Sequence, residues 1–89
     1  MKNILNEISK ERDAQDEKWG IQTHHPEKWM VILMEEVGEA AAECREAYPF
    51  ISKIPKNTKN VLLNKYRKEM IQVAAVAVAA VESLDRMRS

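Results

Sequence analysis

Apolar positions recur at intervals of three and four along three segments, and no alternation of period two persists beyond a few residues. That periodicity predicts helices and no strands. The first helix covers about 3–18, with Ile4, Leu5, Ile8 and Arg12 on one face and charge elsewhere. It is weakly amphipathic. The second starts at Pro26, a residue suited to a first helical turn, and runs to about Tyr48. Its apolar positions are Trp29, Leu33, Val37, Ala40, Ala41 and Cys44. The third starts at Asn57 or Thr58, either of which can cap a helix, and extends to about Arg86. Unbroken, it would be roughly 40 Å long; a break near Leu63 would give two pieces. Gly20 and Pro26 bracket one connection, and Pro49 and Pro55 bracket the other.

Residues 71–81 are Val, Ala or Ile at every position except Gln72. A helix that is apolar all round has to be covered all round. Two other short helices cannot surround it, so a partner chain is expected to complete the core. The expected fold is all-α: one domain over 1–89, a bundle of three to four helices finished by oligomerisation. The simpler alternative is a monomeric three-helix bundle with a buried spine. Met30, Met34 and Met70 are expected as core filler, and Cys44 as a small buried hydrophobe.

Composition narrows the function classes. In 89 residues, 45% are hydrophobic and 31% charged, the balance of a folded chain. Fourteen Lys/Arg offset fourteen Asp/Glu, which argues against a protein that coats a nucleic-acid polymer. No apolar run reaches the roughly 18 residues of a membrane span, and residues 1–18 are too charged for a secretory signal. A single cysteine excludes an internal disulfide framework and fits a reducing, cytoplasmic setting. A chain of this size buries roughly 60–65% of its unfolded surface, a second reason to expect a homo-oligomer.

The candidate chemistry lies in the glutamates. Glu36, Glu39 and Glu43 share one stripe of the second helix, with Glu35 at its edge. Like charges at this spacing repel. A solvated acidic face is the ordinary reading of such a stripe. Here, however, Glu36 and Glu39 border the apolar face. Gly38 interrupts the cluster at a helix-interior cost of about 1 kcal/mol, leaving room for a helix or ligand to approach. On the third helix Glu69 stands three residues before Gln72, on a face that Val76 and Ala79 continue. Gln72, alone and polar in its run, needs a hydrogen-bond partner if buried. That partner could be backbone, or its counterpart across a dimer axis. An all-oxygen site of this kind suits Mg²⁺ or Mn²⁺ rather than zinc. Residues 27–46 hold six acids and two bases, whereas 53–68 hold six bases and no acid. Acids to hold a metal beside bases to hold phosphate oxygens would suit a magnesium-bound polyphosphate; solubilising lysines are the alternative.

Glu35-Glu36-Val37-Gly38-Glu39, followed by Glu69-Met70-Ile71-Gln72, resembles the paired acidic motifs of the MazG-like all-α nucleoside triphosphate pyrophosphohydrolases, Glu-Glu-x-x-Glu and Glu-x-x-Asp. Residues 18–26, which end in Pro26, are similar to the segment preceding the first motif in related dCTP and dUTP pyrophosphatases. The resemblance spans roughly residues 11–85. It implies a homodimer or homotetramer with magnesium held by the acids. It also implies attack by a metal-activated water on a nucleoside triphosphate, giving the monophosphate and pyrophosphate. Glu36, Glu39 and Glu69 would then be metal ligands, with Gln72 in the position of the fourth. Glu35 would be a further ligand or the base that orients the water. Trp19, Gln22 and His24 would face the nucleobase, and Lys65 and Lys68 would reach phosphate. Gln72 departs from the family's aspartate and removes one charge. A catalytically silent helical oligomer that binds nucleotide or a protein partner is the alternative reading.

Overall fold

A computed structural model describes residues 1–47 and 56–89. These form three α-helices: α1 (Lys2–Trp19), α2 (Pro26–Ala47) and α3 (Lys56–Arg88). The described residues contain no strand, as the spacing of apolar residues predicts. Helix α3 is unbroken through Leu63. It already includes Asn57 and Thr58, so these residues sit in its first turn instead of capping it. The expected end of α2 at Tyr48 and the loop between Pro49 and Pro55 lie outside the described residues, as does Lys53. The side chains of Glu46, Lys56 and Lys59 are likewise outside them.

Helices α2 and α3 run antiparallel along one seam. Trp29 meets Val76 and Ala79 near one end, and Glu39 meets Glu69 further along. On α3 the seam residues are Glu69, Gln72, Val76, Ala79 and Ser83, spaced three and four apart, the spacing that keeps one face of a helix against its neighbour. The core is small: Trp29, Ala40, Ala75, Val76 and Ala79 are its buried hydrophobic residues. Ile32, Leu33 and Ala80 pack against it, partly buried. Trp29 supplies the largest share, since burying a side chain of that size stabilises by roughly 2–3 kcal/mol.

Helix α1 attaches differently. It packs on α3, running in the same sense, and does not approach α2. None of its residues is buried. Of its apolar face, Ile8 and Arg12 are half-buried, while Ile4 and Leu5 are exposed. Two ion pairs fasten it: Arg12 to Glu82 at 2.7 Å and Arg67 to Glu7 at 2.6 Å. Gly20 ends α1 at φ 75°, a left-handed conformation suited to glycine, and its N–H donates to the Asp16 carbonyl at 2.8 Å.

The connection into α2 is held by α3. Ser83 is fully buried. Its Oγ accepts from the His24 N–H at 3.0 Å and donates to the His24 carbonyl at 3.2 Å. Arg86 adds bonds to Thr23 Oγ1 at 3.2 Å and the Gln22 carbonyl at 2.7 Å. A fully buried serine is thus satisfied by backbone groups of the connecting loop.

Several expectations for the core are corrected. Met30, Met34 and Met70 are 54%, 59% and 42% exposed, so they do not fill the core. Val37 and Ala41 are also exposed, and Cys44 is half-buried rather than buried. The run 71–81 is buried or half-buried except at Ala77, Val78 and Val81, which are exposed. The common reason is geometric. Helix α2 has one helical neighbour and α3 has two, and these residues lie beyond the faces that those neighbours cover.

Ser83→Ala should cost about 1–3 kcal/mol, because the His24 N–H and carbonyl each lose their partner. Thermal unfolding followed by circular dichroism should show a drop in Tm of several degrees.

Candidate functional site

The acidic stripe of α2 and the polar start of the α3 seam face each other. One carboxylate oxygen from each of Glu36, Glu39 and Glu69 lies within 4.8 Å of the other two. Glu36 and Glu69 are half-buried and Glu39 is exposed. Two neighbouring helices thus place glutamate oxygens close together. Oε2 of Glu36 and Oε2 of Glu69 are buried with no hydrogen-bond partner. Burial, followed by the charge of Glu39, raises the Glu36 carboxyl above its ordinary range; Glu69, Glu11 and Glu35 push in the same direction. Glu69 is raised as well, first by burial, then by the charge of Glu39 and a hydrogen bond with it, and then by Glu43. Lys68 opposes this shift.

Beside the triad, a cavity of about 450 Å³ opens between α1, the connecting loop and the α2–α3 seam. Glu36 and Gln72 form one part of its wall, and Trp19, Gly20 and Gln22 another, with Trp29, Val76 and Ala79 also lining it. Trp29 has an orphan donor: its indole N–H is buried and unpartnered. The volume falls within the range of small-molecule sites. The lining combines an acidic edge, an apolar floor and a few amide groups.

Other sequence-predicted residues are placed elsewhere. Glu35 is exposed on α2 and outside the triad. His24 does not line this cavity; its backbone is bound by Ser83, and its ring packs on Trp29 at 5.2 Å between centroids. Lys68 is exposed beside Glu69 and lines an adjoining groove with Arg67 and Glu7. Lys65 is exposed on α3. Trp19 is 58% exposed, with Lys18 Nζ 4.6 Å from its ring centroid. A side chain at Gly38 would meet open space rather than a neighbouring element of the described chain, so the position is open to whatever approaches from outside.

The sequence reading missed what α1 contributes. Glu11, Arg12, Gln15 and Asp16 all line the cavity. Arg12 donates to Gln15 at 3.0 Å, Asp16 at 2.9 Å and Glu82 at 2.7 Å. A usable signal was present: an arginine in phase with Ile4 and Ile8 needs acidic partners. No family model, curated protein or solved structure matches this chain.

The raised carboxylates carry a sign for stability. A group whose folded pKa exceeds its unfolded value favours folding below the unfolded pKa, and that contribution is lost as pH rises through the folded pKa. Ionised, the triad therefore disfavours the fold. In metal-free buffer Glu69→Gln should raise Tm by a few degrees at about pH 7. The gain should vanish near pH 4, below the ordinary glutamate value of 4.5. Paired melts of both proteins across pH read this directly.

Proposed function

We propose that the protein is a magnesium-dependent nucleoside triphosphate pyrophosphohydrolase. On this reading it converts an NTP or dNTP to the monophosphate and pyrophosphate. The observation that carries the reading is the convergence of Glu36, Glu39 and Glu69 from two helices at the edge of a ligand-sized cavity. An acidic triad by itself is common on helical surfaces. This one has two buried, unpartnered carboxylate oxygens and raised pKa values, the condition of carboxylates crowded without a countercharge. Its all-oxygen donor set fits a hard divalent cation, Mg²⁺ or Mn²⁺.

Glu36, Glu39 and Glu69 would hold the metal, with the Gln72 carbonyl oxygen as a neutral neighbour. Magnesium bound there would lower the pKa of a water and shield phosphate charge. Glu35, at the exposed edge of the stripe, would orient the water. Lys68 beside Glu69 is placed to meet phosphate oxygens, with Lys65 one turn away. Trp19 and Gln22, which line the cavity, would face the base.

The uncovered apolar residues Met30, Met34 and Val37 on α2 and Val78 and Val81 on α3 support assembly into a homodimer or homotetramer. Gly38 leaves a gap among them that a second helix could enter.

Incubation with a panel of nucleoside triphosphates and Mg²⁺ should release pyrophosphate. Glu39→Gln and Glu69→Gln should each lower the rate by about a hundredfold or more while circular dichroism stays helical. Wild-type rates in both variants would refute the site.

A further inference from the structure

The cavity has one wall fastened unlike the others. Helices α2 and α3 are joined by buried side chains, whereas α1 buries none and stands across the cavity from α2 without approaching it. It packs on α3 through half-buried residues such as Ile8, and its polar ties there are Arg12 to Glu82, and Arg67 to both Glu7 oxygens at 2.6 and 2.7 Å. Both partners of the Arg67–Glu7 pair are well exposed to solvent, whereas in the other pair Glu82 is exposed and the Arg12 side chain is only 12% exposed, so salt reaches the first pair more fully. Such pairs weaken as salt screens them, the Debye length falling from about 10 Å at 0.1 M to about 3 Å at 1 M.

The connection at the other end limits where α1 could move. Residues 22–24 are pinned to α3 by Ser83 and Arg86. Upstream, α1 is continuous helix to Trp19. Only Gly20 and Ile21 lie between these fixed parts. Gly20 has the one positive φ among the described residues, and Ile21 is 72% exposed. Rotation at these two residues would swing α1 as a unit. It would carry Glu11, Arg12 and Gln15 off the cavity while the α2–α3 seam stayed intact.

We propose that α1 is a hinged flap, pivoting at Gly20–Ile21 and latched over the cavity by the Arg12–Glu82 and Arg67–Glu7 ion pairs, so that ionic strength sets how often the cavity opens. The inference does not depend on what occupies the cavity.

Amide hydrogen exchange of the full chain, resolved by helix, tests it. A helix of this length detached from its neighbour is only marginally stable in water and frays, so between about 0.05 M and 1 M NaCl protection within α1 should fall about tenfold while the α2–α3 seam around Trp29 and Val76 keeps its protection. The double variant Glu7→Gln with Glu82→Gln, which removes an acid from each latch at constant shape, should show the high-salt α1 exchange already at low salt. It should also have lost most of its response to added salt. Protection of α1 that is indifferent to salt in the wild-type chain would overturn the proposal. So would α1 and the seam losing protection together, because α1 would then not move on its own.

Discussion

The antiparallel contact between α2 and α3 is the interaction on which the rest of the structure depends. Near Trp29 it is apolar and closely packed, with Val76 and Ala79 against the indole. Two to three turns further on, the facing sides of the two helices carry Glu36, Glu39 and Glu69. The carboxylates are brought together because the helices are already committed to each other by the apolar end. Burial in the seam, and after it the charge of Glu39, raises the pKa values of Glu36 and Glu69. A local conflict of this kind inside an otherwise consistent helix pair is where a functional site is expected.

Much of this was legible in the residues themselves. Three- and four-residue spacing marks the helices to within a residue or two, and the same spacing puts Glu69 and Gln72 on one face with Val76 and Ala79. The juxtaposition of Glu36 and Glu39 with Glu69 follows once α2 and α3 are taken as neighbours. Burial was read less well. Met30, Met34 and Met70 look like filler because they are apolar and helical, yet periodicity cannot say how wide a stripe a single neighbour covers. His24 was harder still: its place depends on Ser83, 59 residues away, and no local pattern encodes that pairing. The Arg12 network spans 70 residues to Glu82, and only the oddity of an arginine in phase with isoleucines hinted at it.

The two attachments of α3 illustrate different uses of polar bonds. Ser83 makes part-buried bonds of 3.0 and 3.2 Å to backbone and fixes the loop that carries Gln22. Arg12 and Arg67 make ionic bonds nearer solvent and fix a whole helix. Buried hydrogen bonds between neutral groups are largely indifferent to ionic strength, whereas ion pairs open to solvent are screened. The same helix thus anchors one neighbour permanently and the other conditionally. The cavity lies between the two.

The chain contains two indoles, and the fold sets them in opposite surroundings. Trp29 is 6% exposed within the seam, and Trp19 is 58% exposed at the end of α1. Their emission is consequently separable, blue for the enclosed ring and red for the wetted one, with a soluble quencher reaching chiefly the latter. The native molecule thus carries its own pair of optical reporters, one for the integrity of the helix pair and one for the surroundings of the pivot, with no dye or label attached.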